Sequence, residues 1–399
     1  MSEKAKRLTV PRLLAAGGIA VFGAGLFVPS VAGAMFPGAS NGNIAFAAIC
    51  DPTIGQPVYS LNPNGSPPPT YSCPLGTAPN YTQSTAGSTD SMPYFSADGL
   101  TLYFASSRAN GGNNAIYQVS YPATISGSPG SQTDGATQLT FPTANGNSYN
   151  DYAPTVDKNG NELVFIRCDS STANCTLQVQ SPIVGGTPTE VTTSQAVAAP
   201  DSVSGAANRP EIDPVDPSQV LYVGVDGHIH LVSLTNSFAE RDLSNESGVG
   251  STADEHPDWS PDGTKLVFDS SRTGGHKIYI MTMSNPATAA PLWSSDPGTE
   301  IEPIYAPTSP TTTKYVWTKL AGGSNLVIDW GTSVSNPVML ASLTANRTNN
   351  SQEVWQPIPL SAQTPESPLA VLLPIAGIGM VGAAMVLRHR RRPAAGLDV

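Results

Sequence analysis

The feature that most restricts the fold is an internal repeat. Residues 257–283 read PDWSPDGTKLVFDSSRTGGHKIYIMTM, and residues 93–120 read PYFSADGLTLYFASSRANGGNNAIYQVS. Both pass through Pro, an aromatic residue, Ser, Asp-Gly, an apolar run ending in Phe, Ser-Ser-Arg, a glycine pair and Ile-Tyr. The step from Pro to Phe is 11 residues in three copies: Pro93 to Phe104, Pro154 to Phe165 and Pro257 to Phe268. Weaker copies open at Pro210 and Pro303, with Pro and polar residues in place of the Asp-Gly turn.

Asp-Gly, or Asn159-Gly160 in the copy at Pro154, supplies the positive φ angles of a tight turn between two strands. The triplets Leu266-Val267-Phe268 and Leu102-Tyr103-Phe104 are apolar at successive positions, so both faces of that strand must be buried. Sheets buried on both faces and repeated at spacings of 46–61 residues are what propeller blades provide. A β-helix is the rival, but its rungs are shorter and more regular. Gly and Pro at 37 each, with only 12% charged residues, fit many short strands joined by turns.

The two ends of the repeat region complement each other. Residues 42–66 match the second half of the frame without its opening, and EVWQPIPL near the C-terminus is that opening, with Pro357 in register. A last strand that completes the first blade closes the ring and leaves no exposed sheet edge. Openings at Pro93, Pro154, Pro210, Pro257, Pro303 and Pro357 give the expected fold: all-β, a six-bladed β-propeller closed by its N- and C-terminal strands. The copy at 257–283 is similar to the WD-like repeat of the TolB-type six-bladed β-propeller family, and the weaker copies extend the likeness over about residues 42–360. That resemblance implies a periplasmic or surface module that usually binds other proteins, sometimes as an appendage to an enzyme. It implies no shared catalytic set, and neither the N-terminal α/β domain of TolB nor a prolyl-peptidase hydrolase domain is recognisable.

The remaining segments read as targeting. Lys4, Lys6, Arg7 and Arg12, the apolar run 13–28 and Ala32-Gly33-Ala34 form a signal peptide over 1–34. The propeller occupies 35–360 and a linker 361–368. Residues 369–387 carry no charge and suit a single transmembrane helix, and 388–399 begin with RHRRR, a cytoplasmic basic tail. The tail resembles the sorting tails of bacterial and archaeal surface proteins. TPESP at 364–368 is not LPxTG, so plain anchoring is expected, with the propeller on the extracytoplasmic side. The ends hold eight of the 19 basic side chains and two of the 30 acidic ones, which leaves the exterior at a net charge of about −17. Such a surface repels nucleic acid. Four cysteines outside the cell read as two bridges, Cys168 with Cys175 across a hairpin and Cys50 with Cys73.

No nucleophile elbow, zincin helix or phosphate loop is present. His228 and His230 alternate, so both face one side, as a metal pair would; the repeat also places His230 where other copies have Tyr, a packing position. Asp254, Glu255 and His256 precede Pro257, and Asp90, Asp151 and Glu300 stand three residues before Pro93, Pro154 and Pro303. These are candidate binding residues: a ring of carboxylates at the channel mouth would suit calcium, manganese or a cationic ligand, and the plainer reading has them capping inter-blade turns. Arg108 and Arg272 sit in matching places and read as blade-to-blade ion pairs. No cofactor is expected. The expected function is non-catalytic binding of a protein or envelope polymer, through loops 120–138 and 180–208; the alternative is a metal-assisted polysaccharide lyase or hydrolase at the channel mouth.

Overall fold

The computed structural model describes residues 39–47, 56–61, 82, 88–108, 112–121, 134–142, 148–170, 174–200, 208–235, 239–248, 250, 253–292, 299–307, 314–321, 325–332, 338–343 and 354–359. The expected signal peptide, linker, transmembrane run and basic tail lie outside these residues, as do Cys50 and Cys73. Among the described residues no helix is long and apolar enough to cross a membrane.

The chain opens with β1 (Ala39–Ala47) and β2 (Val58–Leu61). Sheet I follows as β3 (Asp90–Phe95), β4 (Thr101–Ser106), β5 (Ala115–Ser120) and β6 (Thr137–Gln138). Sheet II is β7 (Tyr149–Val156), β8 (Leu163–Asp169), β9 (Cys175–Gln180) and β10 (Thr189–Val191). Sheet III is β11 (Glu211–Ile212), β12 (Gln219–Val223), β13 (Ile229–Ser233) and β14 (Glu240–Asp242), followed by the one-turn α1 (Leu243–Glu246). Sheet IV is β15 (Asp254–Trp259), β16 (Lys265–Ser270), β17 (Lys277–Thr282) and β18 (Asn285–Pro291). Sheet V is β19 (Thr299–Tyr305), β20 (Lys314–Ala321), β21 (Asn325–Thr332) and β22 (Val338–Leu343). Finally β23 (Val354–Pro359) joins β1 and β2 in a three-stranded sheet of order β2-β1-β23.

Each four-stranded sheet is an antiparallel meander, and consecutive sheets touch through their first strands: β3 with β7, β7 with β11, β15 with β19. The three-stranded sheet touches β3 through β1 and β23, and β19 through β23. The architecture is an all-β propeller, with five four-stranded sheets and the sheet made by the two ends. Sequence reading of the clasp agrees with the observed pairing: Ile44 faces Trp355 and Ala39 faces Pro359. Trp355 Nε1 donates to the Gly42 carbonyl at 3.1 Å across that seam.

The second strands of sheets I, II and IV are buried on both faces, as their apolar triplets require: Leu102, Phe104, Leu163, Phe165, Leu266 and Phe268 are enclosed on one face, and Tyr103, Val164 and Val267 are buried on the other. Burying one such side chain contributes about 1.5–3 kcal/mol. Trp259, Trp317 and Trp355 are core residues as well. Cys168 and Cys175 face each other on β8 and β9 and are bridged.

Two local features differ from the expectation. The first turn of sheets I, II and IV is longer than a two-residue turn, and only its glycine takes a positive φ, 68° at Gly99, 68° at Gly160 and 69° at Gly263. The aspartate instead serves as an acceptor: Asp98 Oδ1 takes the Leu100 amide and the Ser96 hydroxyl, and Asp262 Oδ1 does the same for Thr264 and Ser260. A second device lies in the first strands. Met92, Ala153, His256 and Glu302 have φ between 50° and 56°, and each directly precedes the repeat's proline. The following proline disfavours the right-handed helical region for these residues, and the register slips at each of them. Residues of four different types thus share one strained bulge, at an expected 1–3 kcal/mol each.

Candidate functional site

The carboxylates that open the first strands are committed to arginines. Asp90, Asp151 and Asp254 are completely buried. Arg108 Nη2 lies 2.6 Å from Asp90 and Nη1 lies 2.8 Å from Asp134; Arg167 Nε is 2.7 Å from Asp151; Arg272 Nη2 is 2.6 Å from Asp254. Each pair joins residues of one sheet, which corrects the reading of Arg108 and Arg272 as blade-to-blade links. The reason is register: Asp90 faces Ser106 and Asp254 faces Ser270, so the arginine two residues beyond the serine folds back onto its own strand pair. Glu300, at the matching place in sheet V, is buried too.

Buried polar side chains also link different sheets. Arg209, ahead of β11 in sheet III, pairs with Glu211 at 2.5 Å and donates from Nη1 to the Pro93 carbonyl in sheet I at 3.1 Å, skipping sheet II. Its guanidinium lies over the Tyr94 ring at 5.5 Å. Asp258 of sheet IV accepts the Tyr305 amide of sheet V at 2.6 Å. Burial raises the carboxyls of Glu211 and Asp258, and at Asp258 the Glu211 charge adds to the rise.

Around His256, a second network ties sheet IV to sheet V. His256 Nδ1 is 2.5 Å from Asp269 Oδ1, His276 Nδ1 is 2.7 Å from Asp269 Oδ2, and the Glu302 amide donates to Asp269 at 3.1 Å. Burial by itself would lower His256, but the Asp269 charge and hydrogen bond outweigh it and push it up to about 9. Asp269 is fully buried, yet its two histidine partners hold it below the ordinary carboxylate value. Glu255 stands 3.9 Å from His276 at the half-exposed edge.

His228 and His230 form the third group, at the corner where the β12–β13 turn meets β14. His230 faces Tyr222 across the strands, as Tyr279 faces Phe268 and Tyr117 faces Phe104, so the repeat placed it correctly. The rings of His228 and His230 stack at 6.3 Å on one side of the sheet. His228 Nδ1 is 2.9 Å from Asp242 Oδ2 and 4.0 Å from Asp226 Oδ2, and His230 Nε2 is 3.2 Å from Asp226 Oδ2. Ligand atoms of Asp226, His230 and Asp242 all lie within 4.8 Å of one another. Burial would lower His228, but its Asp242 hydrogen bond and the two carboxylate charges hold it above the usual imidazole value.

Sequence reasoning named the two histidines and missed Asp226, Asp242, Glu240, Asp269 and Arg209. Asp226 was within reach, two residues ahead of His228 in VDGHIH. Asp242 enters only through the β13–β14 register that sets it opposite His230. Arg209 acts across the ring, where sequence distance says nothing.

No known protein family and no curated protein matches the sequence. Among solved structures, TolB from Acinetobacter baumannii aligns with a TM-score of 0.56 at 15% identity, over 79% of this chain and 66% of that one. Hydrazine synthase from Kuenenia stuttgartiensis aligns with a TM-score of 0.52 at 13% identity, over 81% of this chain and 48% of that one. The chain thus spans about two thirds of the first and about half of the second. At these identities the likeness is one of fold, and the fold is the β-propeller.

Proposed function

We propose that the chain is a TolB-type six-bladed propeller, with the β2-β1-β23 sheet as its sixth blade. It is held at the outer side of the membrane by segment 369–387 and binds a protein or envelope polymer without catalysing a reaction. The observation that carries this reading is that the buried polar groups tie sheets together: Arg209 reaches from sheet III to the Pro93 carbonyl of sheet I and is committed to that contact and to Glu211. Three of the carboxylates expected at the channel mouth, Asp90, Asp151 and Asp254, are buried against arginines, which weakens the alternative of a metal-assisted lyase or hydrolase there. Contact then falls to the faces. Leu100, Val184 and Val215 are each more than half exposed on turns at one end of the sheets, the end that also carries the loop 120–138.

Binding of the detergent-solubilised full chain to isolated envelope polymers and envelope membrane proteins tests this. The variant Leu100→Asp with Val184→Asp and Val215→Asp is expected to melt like the parent and to lose the binding. Retained binding, or turnover of an envelope polysaccharide by the parent chain, would remove the reading.

A further inference from the structure

The corner of sheet III contains a chemical conflict that a divalent cation resolves. The Gly250 carbonyl lies 3.2 Å from His228 Nε2 and can only accept, so the ring proton belongs on Nε2. That leaves the Nδ1 lone pair directed at Asp242 Oδ2, 2.9 Å away, and towards Asp226. His230 has carboxylates at both nitrogens: Asp226 at 3.2 Å from Nε2, and Glu240 Oε1 at 2.9 Å from Nδ1, off the hydrogen-bonding direction. A neutral imidazole can donate to only one of two acceptors. Among the described residues no lysine or arginine pairs with Asp226, Glu240 or Asp242. The corner therefore gathers two imidazoles and three carboxylates with no fixed cation, an arrangement that a doubly charged ion would balance.

We propose that Asp226, His230 and Asp242 hold a divalent transition-metal ion of the four-coordinate, zinc-like class, with His228, beside Asp242, turning in as the fourth ligand. His228 binds through Nδ1 and His230 through Nε2. Two imidazoles and two carboxylates are a donor set that zinc accepts, and tetrahedral ligands at normal bond lengths are about 3.3 Å apart. His230 Nε2 and Asp226 Oδ2 stand at 3.2 Å, and the ligand atoms of Asp226, His230 and Asp242 lie within 4.8 Å of one another, so a small inward movement, with a turn of His228 from its place 2.9 Å from Asp242, completes the set.

The surroundings fit the same purpose. Metal-bound histidines fix their second nitrogen on a carboxylate or a backbone carbonyl; the Gly250 carbonyl takes that place for His228, and Glu240 stands 2.9 Å from His230 Nδ1, needing only a small reorientation to do the same. Glu240 is itself held by the Tyr222 hydroxyl at 2.7 Å, the Ser194 amide at 2.7 Å and the Ser194 hydroxyl. A Cβ on Gly224 would come within 2.3 Å of Asp226 Oδ1 and 3.1 Å of His230 Nε2, so this glycine keeps the pocket open. His230 is enclosed, while Asp226 and Asp242 are partly exposed, which gives an ion a way in. This site stands apart from the contact face proposed above and does not depend on it.

The experiment uses the full chain in detergent with Zn²⁺ and Co²⁺ as probes and Ca²⁺ and Mn²⁺ as controls. Metal content after dialysis should be one Zn²⁺ per chain that depends on this corner. Co²⁺ should give the intense visible absorption of a tetrahedral site. Asp226→Asn and His228→Gln should each lower affinity at least 100-fold and remove the Co²⁺ spectrum. Glu240→Gln, which leaves all four ligands in place, should weaken binding about 10–100-fold. His256→Gln, in the neighbouring sheet, should leave both readouts unchanged. Melting of each variant in EDTA reports whether it folds, and Glu240→Gln serves if a ligand variant does not. The proposal is overturned if the parent takes up no Zn²⁺ or Co²⁺, if Ca²⁺ or Mn²⁺ binds in preference, or if folded ligand variants keep the ion.

Discussion

In sheets I and IV an aromatic pair spanning the second and third strands carries a guanidinium, whereas in sheet III the corresponding pair carries a second imidazole. Phe104 and Tyr117 stack beneath Arg108, and Phe268 and Tyr279 beneath Arg272, at 4.8–5.5 Å from the guanidinium carbon. Tyr222 and His230 stack at 5.0 Å, and His228 takes the place above them. In the first arrangement a permanent cation neutralises a buried aspartate and covers an aromatic face. In the second, carboxylates collect around groups whose charge depends on a proton or an ion. The same aromatic pair of the repeat thus adjoins a fixed lock in two sheets and an exchangeable site in a third, where Asp226 stands at the repeat position of the arginine.

That contrast can be broken most severely at the fixed locks. Arg272→Met would leave Asp254 buried without its cation, and removing one partner of such a pair costs about 3–5 kcal/mol. Thermal melting should show this loss, and a fall below 1 kcal/mol would mean that the arginine is not the lock. The His256–Asp269 pair should give the next largest effect, of up to about 3 kcal/mol. Because His256 is raised to about 9 when folded, its contribution is complete below the ordinary imidazole value and is lost as pH rises through 9. Asp269 is depressed, so its share is present above the ordinary carboxylate value and fades as pH falls through the lowered one. Denaturant midpoints should therefore decline between pH 7 and 10, and His256→Gln should flatten that decline.

Cys168→Ser with Cys175→Ser should remove about 2 kcal/mol, the value for a short closed loop, with the Arg167–Asp151 pair beside it intact. A loss near zero would show that the arginine alone holds that corner. The smallest change tests the comparison directly. His228→Arg would put a fixed cation among the carboxylates of sheet III. Stability should move by about 1 kcal/mol or less in EDTA and cease to respond to added Zn²⁺.

How far the sequence could be read follows the reach of each interaction. Blades and their closure were legible because they rest on local patterns, the Pro-to-Phe interval and the unmatched half repeat at each end. His230 was placed by the same pattern, since its neighbours on β12 and β13 keep the repeat's spacing. The partners of the histidines were not legible. Asp242 meets His230 through a strand of only three residues with no apolar pattern to set its register. Asp269 replaces the apolar Ala105 and Ile166 of other copies, a substitution that gains meaning only once His256 and His276 are seen around it. Arg209 joins sheet III to sheet I across 116 residues of sequence, where no local rule applies.

The seam between β1 and β23 also sets an order of events in folding. Trp355 and the Gly42 carbonyl are 313 residues apart in sequence, so β1 is synthesised long before its partner exists. Until then β1 and β3 both present unpaired or uncovered edges, and the chain must wait with them available to other chains. Contacts of such long range form slowly. The step that completes the ring is therefore the last and the slowest. A chain cut short of residue 354 would be left with five assembled sheets and a lone hairpin, ready to pair with the corresponding hairpin of a neighbour.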